Sequence, residues 1–158
     1  MRHLLLAALL FVAPLLQAQR GVNNQFFVRD ADTLVAAALD VTVQQPATGS
    51  RLVVFDFAEV YCSAACVVSI SRDGTAASTT AATEVSLNGG LTATATAFYD
   101  SNAGAGTAIK TLNLSAGQTA TIDLDGFILE PDNSTANNLT IQTDAISGTA
   151  YIYIRWQE

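Results

Sequence analysis

The sequence predicts an all-β protein: an antiparallel β-sandwich of about eight to ten strands, in a jelly-roll or other Greek-key topology, preceded by a cleavable signal helix at residues 1–18. Three observations carry this expectation. Beyond residue 18, apolar and polar residues alternate with a period of two in short runs. Gly, Asn, Asp and Ser punctuate those runs. No segment sustains a 3.6-residue period over the length of a packed helix. With 158 residues, half of them apolar, the chain is long enough for one domain with its own core, residues 19–158, and too apolar for intrinsic disorder.

The opening segment reads as an address. Met1-Arg2-His3 is basic, and Leu4 to Leu16 is almost wholly apolar. As a helix that run spans roughly 20 Å, short of the ~30 Å hydrocarbon core of a bilayer. A basic start, a short apolar run and a small-residue exit make a secretory signal, with cleavage expected after Ala18 to leave Gln19 first. The expected location is therefore exported: periplasmic, cell-surface or extracellular, with no membrane association after cleavage.

The strands follow in order. Gln25–Arg29 opens the sheet structure. Leu34–Val43 is the next strand, because Val35, Ala37, Leu39, Val41 and Val43 alternate, although Asp32 would cap a helix through the Ala run. Pro46 and Gly49 mark a loop. Further strands are expected at Leu52–Tyr61, Cys66–Arg72, Thr83–Asn88, Thr92–Tyr99, Ala108–Leu114, Gln118–Leu124, Asn138–Thr143 and Thr149–Trp156, with a brief piece at Phe127–Leu129. Asp73-Gly74, Asn88-Gly89-Gly90 and Ala116-Gly117 are turn signals, and the low-complexity tract Thr75–Thr83 is a loop or a weak edge strand. In the last strand Ala150, Ile152, Ile154 and Trp156 face the core, and Tyr151, Tyr153 and Arg155 face outward. In Gln118–Leu124 the inward set is Ala120, Ile122 and Leu124, and in Asn138–Thr143 it is Leu139 and Ile141.

Charge and composition exclude several functions. Seven basic against 14 acidic residues give a net charge of −7, which argues against nucleic acid as a partner. His3, the only His, lies in the signal segment, so the processed chain has no imidazole for a triad, a Cys–His dyad, a zinc ligand or a general base. Lys110 is the only Lys and has no visible motif beside it. Of the common hydrolytic mechanisms, only a carboxylate pair remains.

Few residues qualify for a site. Cys62 and Cys66 frame CSAAC between two strand-like segments, and in an exported chain they read as a local disulfide pinning one corner. The redox spacing has two intervening residues rather than three. Asp123 and Asp125, with Glu130 or Asp132, are the candidate calcium ligands, since an extended chain would put the first two on one face about 7 Å apart. Asp56 and Glu59 lie three apart in a strand, hence on opposite faces, and the one facing inward needs a partner such as Arg51, Arg72 or Arg155. Tyr151 and Tyr153 are the candidate ligand contacts, a pair on an open sheet face suited to protein or carbohydrate, while Trp156 falls on the core face. Thr92, Thr94 and Thr96 form a row on one strand face. Asn113, Asn138 and Asn133 begin glycosylation acceptor patterns.

In size, acidic Thr/Ala/Gly-rich composition, cysteine count and alternating final strand, the chain resembles bacterial fimbrial subunits. It departs from them at the cysteines, which are widely separated there and close together here, and no family is assigned. The expected function is a non-catalytic exported surface, matrix or appendage component that works through protein partners or self-association, with no cofactor. A carbohydrate-binding module is the alternative, and a carboxylate-only hydrolase a second one.

Overall fold

The computed structural model describes residues 24–35, 38–47, 51–72, 80–99, 106–131 and 137–158. The expected signal helix, Asp132 and the acceptor pattern at Asn133 lie outside them. The described residues form twelve strands and no helix. In chain order they are β1 (Gln25–Val35), β2 (Asp40–Gln45), β3 (Val53–Cys62), β4 (Cys66–Arg72), β5 (Thr80–Ala81), β6 (Val85–Ser86), β7 (Thr96–Tyr99), β8 (Thr107–Leu114), β9 (Gln118–Asp123), β10 (Ile128–Leu129), β11 (Asn137–Thr143) and β12 (Ser147–Gln157).

They build two antiparallel sheets. Sheet A runs β10-β3-β12-β1-β6, with β9 also pairing β3 beside β10. Sheet B runs β5-β7-β2-β11-β4-β8. The inward residues of both sheets make one core, in which Trp156 and Phe26 stack at 6.0 Å and Leu39, Val41, Val43, Leu139 and Ile141 lie on the sheet B side. The inward and outward sets expected for β9 and β12 are those observed: Ile122, Leu124, Ala150, Ile152, Ile154 and Trp156 are buried. Trp156 is completely buried, as its place among the isoleucines requires.

β3 ends at Cys62 in sheet A and β4 begins at Cys66 in sheet B. The disulfide between them, with Cα atoms 6.4 Å apart, therefore ties one sheet to the other across a very short connection. Closing so small a loop stabilises the fold by about 2 kcal/mol in the chain-entropy picture.

Several expectations are corrected. The strand Leu34–Val43 is two strands: β1 continues through Leu34 and Val35, and β2 starts at Asp40 in the other sheet. The alternation of Leu39, Val41 and Val43 belongs to β2 and its approach, while Leu34 is buried at the end of β1. The Thr row is not a strand face either, because β7 begins only at Thr96. The Thr94 and Ala95 N–H groups are drawn to the Glu158 carboxylate at 2.6 and 2.8 Å, so this stretch docks on a side chain instead of joining a ladder. Three strands hold only two residues each, which raises the count to twelve.

Candidate functional site

The outward face of sheet A is built from four neighbouring strands in register. Across β1, β12, β3 and β9, one row reads Ala31, Tyr151, Tyr61, Thr119. The next reads Arg29, Tyr153, Glu59, Thr121, and the third Phe27, Arg155, Phe57, Asp123. Rings and charged groups thus alternate in the second and third rows, while the first holds two adjacent rings and no charge. The rings meet along and across the rows. Tyr153 stacks on Phe27 at 5.3 Å and lies 5.7 Å from Phe57, and Tyr61 stacks on Tyr151 at 5.5 Å. The Arg29 guanidinium sits 5.1 Å from the Tyr151 ring centre, and that of Arg155 is 5.8 Å from Phe57, both within cation–π range. All five rings are half-buried.

A β-bulge turns Asp56 outward beside Glu59 on this face. Arg155 stands opposite Phe57 and Trp156 opposite Phe55, which leaves Asp56 as an extra residue on β3. The extra residue resets the alternation: Phe55 and Ala58 are buried, while Asp56, Phe57 and Glu59 all turn outward. The expectation that Asp56 and Glu59 occupy opposite faces is therefore wrong, and neither carboxylate is buried in the core. The expected arginine partner is Arg155. Its Nε lies 3.0 Å from Asp56 Oδ2, an ion pair without hydrogen-bond alignment. Gln157 Nε2 donates to Asp56 Oδ1 at 2.6 Å. Glu59 is held by a different group, the Tyr151 hydroxyl, which donates to its Oε1 at 2.5 Å. That bond, and then burial, hold the Tyr151 phenol above its usual pKa of 10.0. Burial raises that of Tyr153.

Of the residues expected at a site, Tyr151 and Tyr153 lie at the centre of this face. Phe27, Phe57 and Tyr61 were not singled out from the sequence. Phe57 is displaced from simple alternation by the bulge, and the Tyr61 signal was available as an alternating ring four residues beyond it. Asp123 sits at the outer edge of the same face, opposite Phe57. The chain leaves β9 there, so the extended spacing to Asp125 does not arise: Asp125 and Gly126 form a turn, Gly126 at φ +83°, and Asp123 Oδ1 accepts the Asp125 N–H at 2.9 Å. Among the described residues no three His, Cys, Asp or Glu side chains are grouped as metal ligands. Asn113 lies on the exposed strand β8, whereas Asn138 is buried and inaccessible to a glycan in the folded chain.

One corner fixes the end of the face nearest Thr149. Gly148 adopts φ +84°, and a Cβ there would lie 2.3 Å from Ser63 Oγ, so any other residue would be strained and would displace that hydroxyl. This close approach lets Ser63 Oγ accept the Thr149 N–H at 2.7 Å while the Ser63 N–H donates to the Thr149 carbonyl at 2.8 Å. Among the described residues no helix is long and apolar enough to cross a membrane. The chain matches no protein-family model, no curated protein and no solved structure.

Proposed function

We propose that the protein is a non-catalytic exported β-sandwich, a surface, matrix or appendage component that self-associates through the outer face of sheet A. One observation carries this reading: five half-exposed rings are gathered on one sheet face whose central charges cancel. Arg29 and Arg155 on β1 and β12 balance Asp56 and Glu59 on β3, which leaves only Asp123 at the outer edge, whereas the whole chain carries −7. On an acidic protein, this is where two copies approach without mutual repulsion. A patch holding both signs can pair with itself about a two-fold axis, the arginines of one copy meeting the carboxylates of the other.

Two further observations support the setting. The order β1-β12-β3-β9 in one sheet and β2-β11-β4-β8 in the other supports a jelly-roll reading, with β5, β6, β7 and β10 as additions. The Cys62–Cys66 disulfide favours an oxidising compartment.

The test is the solution mass of the secreted chain, by light scattering after size exclusion over a range of concentrations. The mass should rise from one chain toward two. A variant carrying both Tyr153→Ala and Phe57→Ala should stay at one chain with its sheet signal in circular dichroism intact. A wild-type mass of one chain at every concentration removes the proposal.

A further inference from the structure

We propose that the free edge of β9 pairs with β9 of a second copy, so that sheet A continues across two molecules. This contact is separate from the ring face and does not rest on it. Backbone direction shows what the edge offers. The Leu124 N–H donates to the Asp56 carbonyl at 3.2 Å, and the Ser63 N–H to the Thr149 carbonyl at 2.8 Å. Over residues 56–63 the even positions of β3 therefore turn their backbone groups to β9, and the odd ones to β12. Carried through the register, Gln118, Ala120 and Ile122 bond to β3, while the backbone groups of Thr119, Thr121 and Asp123 point to the open side. Among the described residues no strand takes them up.

The other edges are guarded. On β1 the Asp32 carboxylate takes the Thr33 N–H, the Tyr99 hydroxyl donates to the Arg29 carbonyl, and Asp30 and Asp32 add charge. β8 carries Lys110, and its pairing with β4 is broken by a register shift beside that residue. β5, β6 and β10 hold two residues each. Charge, bulges and shortness are the devices that keep strand edges from pairing with other chains. β9 lacks them: it is six residues long, pairs β3 without a shift, and carries its one charge, Asp123, at its last position.

The edge complements itself, which makes a second copy the partner. A two-fold axis through Thr121 sets that residue against Thr121 of the second copy, Thr119 against its Asp123, and Ala120 against its Ile122. This register makes about six backbone hydrogen bonds. It brings a threonine hydroxyl, a donor, to each Asp123 carboxylate. It keeps the two Asp123 carboxylates ~14 Å apart, beyond the ~8 Å screening length at physiological salt. Bonds exchanged with water and little apolar area make the contact weaker than that of the rings, so it fills at higher concentration. One chain has room for both contacts, and their alternate use builds an open-ended assembly instead of a closed pair.

The test extends the light-scattering series to about 1 mM chain. Wild type should there pass the mass of two chains. Tyr153→Ala/Phe57→Ala, one chain through the lower range, should rise to two and no further. Adding Thr121→Pro to that variant removes a donor on the open side and no bond to β3, and should return it to one chain. In the Tyr153→Ala/Phe57→Ala chain, hydrogen exchange followed by NMR should slow at the Thr119, Thr121 and Asp123 amides as concentration rises. The edge contact is overturned if this variant stays at one chain at the highest concentration, or if Thr121→Pro folds and leaves it at two. If Thr121→Pro does not fold, exchange decides, and unchanged rates at the three amides overturn the contact. The ring reading fails separately, when wild type and Tyr153→Ala/Phe57→Ala have the same mass at every concentration.

Discussion

On sheet A the outward positions of β1, β12 and β3 carry Phe27, Tyr151, Tyr153, Phe57 and Tyr61, all half-exposed. On sheet B the outward positions of the two central strands include Asp40 and Thr42 on β2 and Asn138 and Thr140 on β11, all at 4% exposure or less, beside the partly buried Gln44 and Gln142. One sheet shows large apolar side chains to the outside, and the other buries small polar ones. Both depart from the ordinary division, and they do so in opposite senses. A buried polar cluster costs desolvation and is tolerated when its members bond one another, as the Thr42 and Thr140 hydroxyls do at 2.8 Å. An exposed ring strip is tolerated when something else covers it. The comparison therefore assigns the two outer faces different tasks. On the proposed reading, that of sheet B holds the fold and that of sheet A meets a second copy.

The largest effect expected from a single change falls on sheet B. Thr140→Val removes the buried hydrogen bond between the Thr140 and Thr42 hydroxyls and should cost about 1–3 kcal/mol in urea unfolding, without altering solution mass. The double variant Thr42→Val/Thr140→Val should cost less than the two single changes added together, because either single change already removes the one bond they share. Additive costs would mean that the two threonines do not act as a pair.

Tyr153→Ala comes next. It removes ring contacts with both Phe27 and Phe57 and should cost about 1–2 kcal/mol, counting two half-exposed pairs at the lower end of the usual range, ~0.5–1 kcal/mol each. Unlike Thr140→Val, it should also reduce self-association. If Tyr153→Ala changes stability alone, the ring strip is structural and the contrast between the faces collapses. A smaller effect is expected of Asp56→Asn. It discharges an ion pair whose members are 22% and 29% exposed, and should cost about 0.2–1 kcal/mol, less at high salt.

The contrast between the faces was only partly legible in the sequence. β12 could be read in full, because Tyr, Ile and Trp alternate without interruption and both its neighbours pair along it. The disulfide could be read from spacing, but its tie between sheets could not, since that depends on β3 and β4 entering different layers. Asp56 and Phe57 could not be placed, because period-two counting presumes one residue per partner and the bulge supplies two against one. The burial of Thr42 and Thr140 on the outward face of sheet B was equally hidden: alternation sorts residues between two faces and does not say that both are covered. Leu34 and Leu39 misled because they seem to sit in one alternating run although they belong to different sheets.

The smallest effect expected is spectroscopic, and it isolates one bond of the sheet A face. Tyr151 holds its proton more tightly in the folded chain because Glu59 accepts it in a hydrogen bond and burial disfavours the phenolate. A group whose folded pKa is raised contributes stability that is fully present below its unfolded value, near 10.0 for tyrosine, and that is lost as pH rises through the folded value. The wild-type chain should therefore lose stability above pH 10.0. Glu59→Ala should lower the midpoint of one phenolate in an ultraviolet absorbance titration and lessen that alkaline loss. An unchanged titration would mean that the Tyr151–Glu59 bond does not hold in solution, and that Tyr151 is free to turn toward a ligand or a second copy. Thr140→Val serves as the control from the opposite face. The hydroxyl pair there titrates nothing, so its removal should lower stability equally at neutral and alkaline pH and leave every phenol where it was.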